Sequence, residues 1–169
     1  LGMTAVIPEM DFTRPGTVNP KNIINPIQTL NVATMFGSPA LLNRVSLWAT
    51  KRNVQLPSLK RIISAGAPVP FDVIERVQKM VQPDVQVFTP YGATESLPVS
   101  AIGSDEILSD TAQQTKQGKG VCVGRPVNAM HVRIIKITDS PIATWHDDLT
   151  VPANQIGEIV VQGPVVTKS

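Results

Sequence analysis

The chain is short of several things that would each point to a particular chemistry. Only one of its 169 residues is a cysteine, so no disulfide can close within it. That residue, Cys122, lies among valines in "GVCVG" and reads as a small buried hydrophobe in a protein of a reducing cytoplasm. No apolar run approaches the roughly 18 residues that a membrane helix needs, and no signal-peptide pattern opens the sequence. Lys and Arg number 15 against 13 Asp and Glu, and the net charge of +2 is spread out instead of gathered into basic runs. Nucleic acid and anionic membrane are therefore not indicated as partners. There is no Gly-x-Ser-x-Gly elbow to support serine-hydrolase chemistry, no internal repeat and no low-complexity tract. Aromatic residues make up 4%, and the single tyrosine, Tyr91, stands in the unusual stretch "TPYGATES".

What the sequence does contain is an alternation of β-branched apolar runs with amphipathic helical stretches, the pattern of crossover units on a parallel sheet. Residues 3–7 read as a strand. In "NPKNIINPIQTL", Asn19 is a candidate N-cap and Pro20 a first helical residue, with Ile23, Ile24, Ile27 and Leu30 on one face and Pro26 expected to bend or delay the helix. The strand-like "VATMF" precedes a helix capped by Ser38 and begun by Pro39, whose buried stripe is Leu41, Leu42, Val45, Trp48 and Ala49. A third round follows: strand "RIIS", turn "AGAPVP", a helix over 71–80 and strand "VQVFT".

The texture then changes. "ILSDTAQQTKQGKG" is polar and loop-like, and "HVRIIKI" and "GEIVVQG" alternate like half-exposed antiparallel strands joined by the irregular "TDSPIATWHDDLTVPANQ". These features predict an α/β fold. Residues 1–117 form a β-α-β lobe with a mostly parallel sheet flanked by helices, and 118–169 form a second, antiparallel subdomain. Both ends of the chain drop directly into or out of apolar runs, which reads as an excerpt from a longer protein.

Ligands of parallel α/β sheets gather at the carboxyl ends of the strands. Two turns fall there. In "SAGAPVP", Gly66 and Ala67 leave the backbone uncovered while Pro68 and Pro70 stiffen it, so a flat ligand could lie against peptide edges. The plainer reading is a tight connection into a helix starting at Pro70. In "TPYGATES", Tyr91 can offer a ring face to a purine, Gly92 a close approach, Thr94 a hydrogen bond to a phosphate oxygen and Glu95 a ligand for Mg²⁺. Here the alternative is a strand end with a packed tyrosine and a capping Thr or Glu. "WHDD", residues 145–148, has one His and no second cluster, a poor basis for a metal site, and His131 reads as the solvated start of a strand.

"YGATE" resembles the Tyr-Gly-x-Thr-Glu core motif of the AMP-forming adenylating enzymes, the group of acyl-CoA synthetases, luciferases and peptide-synthetase adenylation domains. "SAGAPVP" is similar to that family's glycine-alanine loop, "VGRPV" to its Gly-x-Pro step, and "GEIVVQGPVV" to its Gly-Glu-(Ile/Leu)-x-Val-x-Gly-Pro motif. The four occur in the family's order and span nearly the whole chain. Together with "FGSPALL" and "TDSPIATWHDDL", they look most like the olefin-pathway β-lactone synthetase branch, whose members resemble fatty-acid–CoA ligases.

The resemblance implies a lobe passing into part of a small distorted antiparallel β-barrel. It also implies activation of a fatty or β-hydroxy fatty acid by attack on the α-phosphate of Mg·ATP. Transfer to coenzyme A or closure to a β-lactone would follow. Gly66, Ala67 and Pro68 would line one side of adenine and Tyr91 the other, with Gly92 and Ala93 continuing the nucleotide-binding stretch. Thr94 would bind phosphate and Glu95 the magnesium. Gly92 would sit where the acyl carboxylate meets AMP, and Phe36, Gly37 and Ser38 would border the acyl pocket, although a helix start also accounts for Ser38. The family's Pro-Lys-Gly phosphate loop, ribose-binding aspartate and C-terminal lysine are not found in the sequence, and "GKGVCVG" misses both common phosphate-loop spacings. Those parts are expected from the remainder of the polypeptide, without which this chain should be inactive. The competing reading is a nucleotide-binding or scaffold module that keeps the motifs without the chemistry.

Overall fold

The computed structural model describes residues 2–167 and divides into two compact units. The first comprises the chain up to Pro90 together with Ile102–Gly124, and the second Tyr91–Ala101 together with the chain from Arg125 onward.

Local chemistry explains the helices of the first unit. α1 (Lys21–Thr29) starts where the Asn19 side chain accepts the Lys21 N–H at 3.2 Å, and Pro20 already has helical angles. Pro26 lies inside α1 and does not delay its start, and the helix stops before Leu30, which is exposed instead of joining the Ile23, Ile24 and Ile27 face. After β1 (Thr34–Phe36), α2 (Pro39–Thr50) begins with the Ser38 hydroxyl accepting the Leu41 N–H at 3.3 Å. Leu41, Leu42, Val45 and Ala49 are buried along it, whereas Trp48 is half-buried under the Arg52 guanidinium, 4.4 Å from its ring centre. β2 (Arg61–Ile63) leads through the 64–70 loop to α3 (Phe71–Gln78), which is shorter than the expected 71–80, although Met80 and Val81 beyond it are still buried.

β1, β2 and β3 (Val87–Ala93) are parallel neighbours, with Met35 opposite Ile62 and Ile62 opposite Val87. Ile62 and Val87 are almost fully buried in the core between sheet and helices. The fold is thus the expected α/β kind, and the five-stranded sheet has the order β1-β2-β3-β4-β5.

Four further expectations are corrected. Residues 3–7 form no strand, because among the described residues nothing pairs with them, and Met3 and Ile7 are exposed. Within the expected loop 107–120, residues 107–116 are helical: α4 (Ser104–Glu106), a π-helical turn (Ile107–Thr111) and α5 (Ala112–Lys116) run in succession. Ile107, Thr111 and Ala112 recur at helical spacing and are buried, which outweighs the polarity of the other positions. Cys122 is exposed, since its valine neighbours form no strand that could be covered. The strand expected over "VQVFT" begins at Val87 and runs on to Ala93, and its continuation changes the account of the candidate site.

β4 (Ser96–Gly103), whose residues up to Ala101 belong to the second unit, pairs antiparallel with β5 (Arg125–Pro126), Ser100 opposite Pro126. β6 (His131–Ile135) and β7 (Glu158–Gln162) form the expected antiparallel pair, with His131 exposed at the strand start. Lys168 and Ser169, the end of the last apolar run, lie outside the described residues.

Candidate functional site

The structure places the anticipated residues in three groups. Ser64 closes β2 by donating its N–H to the Phe88 carbonyl at 2.9 Å, and the chain then turns through exposed Gly66, Ala67 and Pro68 before Val69 dives back into the core. Gly66 has φ +97 with nothing within 4 Å of a built Cβ, so glycine is required there by backbone angle and not by crowding. The loop is open to a ligand and is held at both ends by buried side chains.

The second group sits on a hairpin. "TPYGATES" is not a loop at a strand's end: β3 continues through Tyr91, Gly92 and Ala93, and only Thr94 and Glu95 turn the chain into β4. Strand alternation therefore orients the residues, and the two-residue turn puts the Thr94 hydroxyl and Glu95 carboxylate at its exposed tip. Tyr91 is 38% exposed. A Cβ on Gly92 would collide with the Ser96 carbonyl oxygen and stand 3.1 Å from the Leu97 Cα, so this glycine is demanded by its own hairpin. The Glu95 carbonyl accepts the Thr167 N–H at 2.8 Å, which fixes the turn's backbone and leaves the side chain outward.

In the third group, Gly37 is buried and donates its N–H to the Ile63 carbonyl at 3.0 Å, and Ser38 caps α2. Phe36 is 67% exposed at the end of β1.

Two side chains passed over in the sequence carry the polar anomalies. The hydroxyls of Ser64 and Ser96 are buried without a hydrogen-bond partner, one just before the Gly66 loop and the other just after Glu95. The signal for them was position: Ser64 opens "SAGAPVP" and Ser96 closes "TPYGATES".

Among the described residues no group of three or more His, Cys, Asp or Glu could hold a metal. A magnesium at Glu95 would have to draw its other ligands from phosphate oxygens and water, which is how Mg²⁺ is commonly held. A single exposed carboxylate beside a hydroxyl fits that use. No helix among the described residues is long and apolar enough to cross a membrane.

A mostly parallel sheet flanked by helices makes this an α/β protein, a class whose ligands gather toward the carboxyl ends of the strands. More specifically, the chain belongs to the AMP-binding enzyme family, whose pattern matches residues 1–169. It is 43% identical over 169 residues to an olefin beta-lactone synthetase of Stenotrophomonas maltophilia, covering 100% of this chain and 30% of that protein. It is 28% identical over 150 residues to a feruloyl-CoA synthase of an Amycolatopsis species, covering 89% and 26%. Among solved structures, O-succinylbenzoate coenzyme A synthetase from Bacillus subtilis, in complex with ATP and magnesium, superposes with a TM-score of 0.63 at 20% identity, covering 90% of this chain and 27% of that one. The likeness to that structure shows a shared fold. The chain spans about 30% of the length of the β-lactone synthetases it matches.

Proposed function

We propose that this chain is the central part of a soluble cytoplasmic enzyme that uses Mg·ATP to adenylate a fatty or β-hydroxy fatty acid, releasing pyrophosphate. The observation that carries the reading is the exposed hairpin tip. It presents a ring, a hydroxyl and a carboxylate in fixed register within a chain 43% identical along its full length to an olefin beta-lactone synthetase. Tyr91 would stack on adenine against Gly66, Ala67 and Pro68, with Gly92 and Ala93 admitting the nucleotide closely. Phe36, Gly37 and Ser38 would border the acyl chain. Thr94 would donate to a phosphate oxygen, and Glu95 would hold the metal. Bound there, magnesium would offset the charge that develops on the departing pyrophosphate. None of these side chains is a nucleophile, so rate would come from alignment and electrostatics. The rest of the polypeptide would complete the site.

The acyl group would then either pass to coenzyme A or be closed by the substrate's own β-hydroxyl into a β-lactone. The higher identity to the β-lactone synthetases than to the feruloyl-CoA synthases favours closure. Product analysis with the intact polypeptide, a β-hydroxy fatty acid and Mg·ATP tests both steps. A β-lactone formed without coenzyme A is the expected product. An acyl-CoA product would replace closure with transfer, and no pyrophosphate release would refute adenylation itself. In the same assay Glu95→Gln should slow adenylate formation by about 10²-fold, with a smaller loss in ATP affinity. Unchanged turnover would remove Glu95 from the metal.

A further inference from the structure

The second unit holds a cavity lined by none of the residues assigned above to adenylation. It has a volume of about 530 Å³, within the size range of small-molecule sites. One wall is a face of the β6–β7 ladder, where His131 is opposite Gln162 and Arg133 opposite Val160. The other wall comes from the long connection after β6, which supplies Ile142 and Trp145. That connection is anchored on return. The Leu149 carbonyl accepts the Lys136 N–H at 3.0 Å, Thr150 bridges to Ile135, and Glu158 accepts the Thr138 N–H at 3.1 Å. Trp145 is fixed by its indole N–H, which donates to Asp147 Oδ1 at 3.1 Å.

We propose that this cavity is a binding site for an amphiphilic monocarboxylate, whose apolar body lies between Trp145, Ile142 and Val160 and whose carboxylate meets Arg133. The guanidinium gives Nη1 to the Val132 carbonyl at 3.0 Å, which leaves Nε and Nη2 to receive a carboxylate as a fork. On the same rim Asp147 already accepts the indole N–H, and its negative charge opposes a multiply charged phosphate ligand. With one arginine, and with Ile142, Trp145, Val160 and Val161 as apolar lining beside the polar His131, Asp147 and Gln162, the site suits a single anionic group better than a nucleotide. It is independent of the adenylation reading and stands or falls separately.

Equilibrium dialysis of decanoate against the intact polypeptide in the absence of ATP should reveal a saturable site beyond the substrate pocket. Arg133→Met and Trp145→Ala should each weaken that site by about tenfold or more. Arg133→Lys and Trp145→Phe should lose less, and they keep the test open if the harsher variants misfold. The kcat/KM for adenylation should be unchanged in all four, and 1-decanol and decylamine should fail to compete. Two results overturn the proposal: no saturable binding of decanoate, or binding wholly indifferent to Arg133 and Trp145. Competition by decylamine as strong as by decanoate overturns it too, by making Asp147 the recognising group. A protein that binds decanoate in this way but never releases pyrophosphate would refute only the proposed function.

Discussion

Gly92 shows how one residue can be demanded for two reasons that a sequence cannot separate. The family resemblance reserves its bare Cα for a substrate carboxylate, whereas the hairpin reserves it for the Ser96 carbonyl across the turn. The second demand applies with no ligand present. Gly92→Ala should therefore lower the stability of the ligand-free protein by about 1–3 kcal/mol, read as a shifted urea midpoint at constant slope. An unchanged midpoint with weakened acyl binding would show that the hairpin gives way easily and that the ligand sets the requirement. At this scale the exposed chemistry of Tyr91, Thr94 and Glu95 was legible because their residue types and order are unusual together. The packing role of Gly92 was not, because the strand that crowds it begins at Ser96, in a segment with no alternation clear enough to reveal β4.

At the scale of elements, helix starts read best. Ser38 followed by Pro39 is a cap and a first helical residue by local chemistry alone, and the structure has the Ser38 hydroxyl accepting the Leu41 N–H. Ser38→Ala should cost about 1 kcal/mol of stability through that lost cap, seen as a lower melting temperature with adenylation kinetics nearly unaltered. A large rise in KM for the acyl substrate would instead place Ser38 at the acyl pocket. Asn19, Pro20, β1, β2 and the β6–β7 pair were equally legible, since caps and two-residue alternation are local signals. The errors came from non-local terms. Residues 3–7 have strand composition, but a strand exists only with a partner, and none is described beside them. The helical run 104–116 looked like a loop because Ile107 and Ala112 are its buried apolar residues, with Leu108 only partly buried and Ser104 and Thr111 polar though buried, too weak a stripe to stand out among polar neighbours. Cys122 has a valine-rich neighbourhood in sequence that does not become a buried one in space.

For the molecule as a whole, acid sensitivity follows from where its carboxylates are placed. Among the described residues two have pKa values held below the usual 3.8: Asp11, chiefly by the Thr13 hydroxyl, and Asp72, chiefly by the hydrogen bond from Arg76. Both are exposed, so each acts through a screened contact. Asp72 matters more because its partner ties two helices together. Besides meeting Asp72 at 2.5 Å on α3, the Arg76 guanidinium donates to Asn43 Oδ1 at 2.6 Å and to the Ser46 hydroxyl at 3.3 Å, both on α2. A carboxylate whose pKa is lower folded than unfolded leaves the unfolded chain holding more protons, so stability rises with pH through that window. The contribution is complete above about 3.8, the ordinary value, and is lost as pH falls through the lower folded one. Melting followed by circular dichroism should thus show little change from this pair between neutral pH and about pH 5, where its contribution is fully present, and a decline below about pH 4. Asp72→Asn should start from a lower melting temperature at pH 7 and decline less steeply in acid, and added salt should narrow the gap between the two proteins. Parallel acid limbs for wild type and Asp72→Asn would mean that Arg76 holds α2 to α3 without help from the carboxylate, through Asn43 and Ser46 alone.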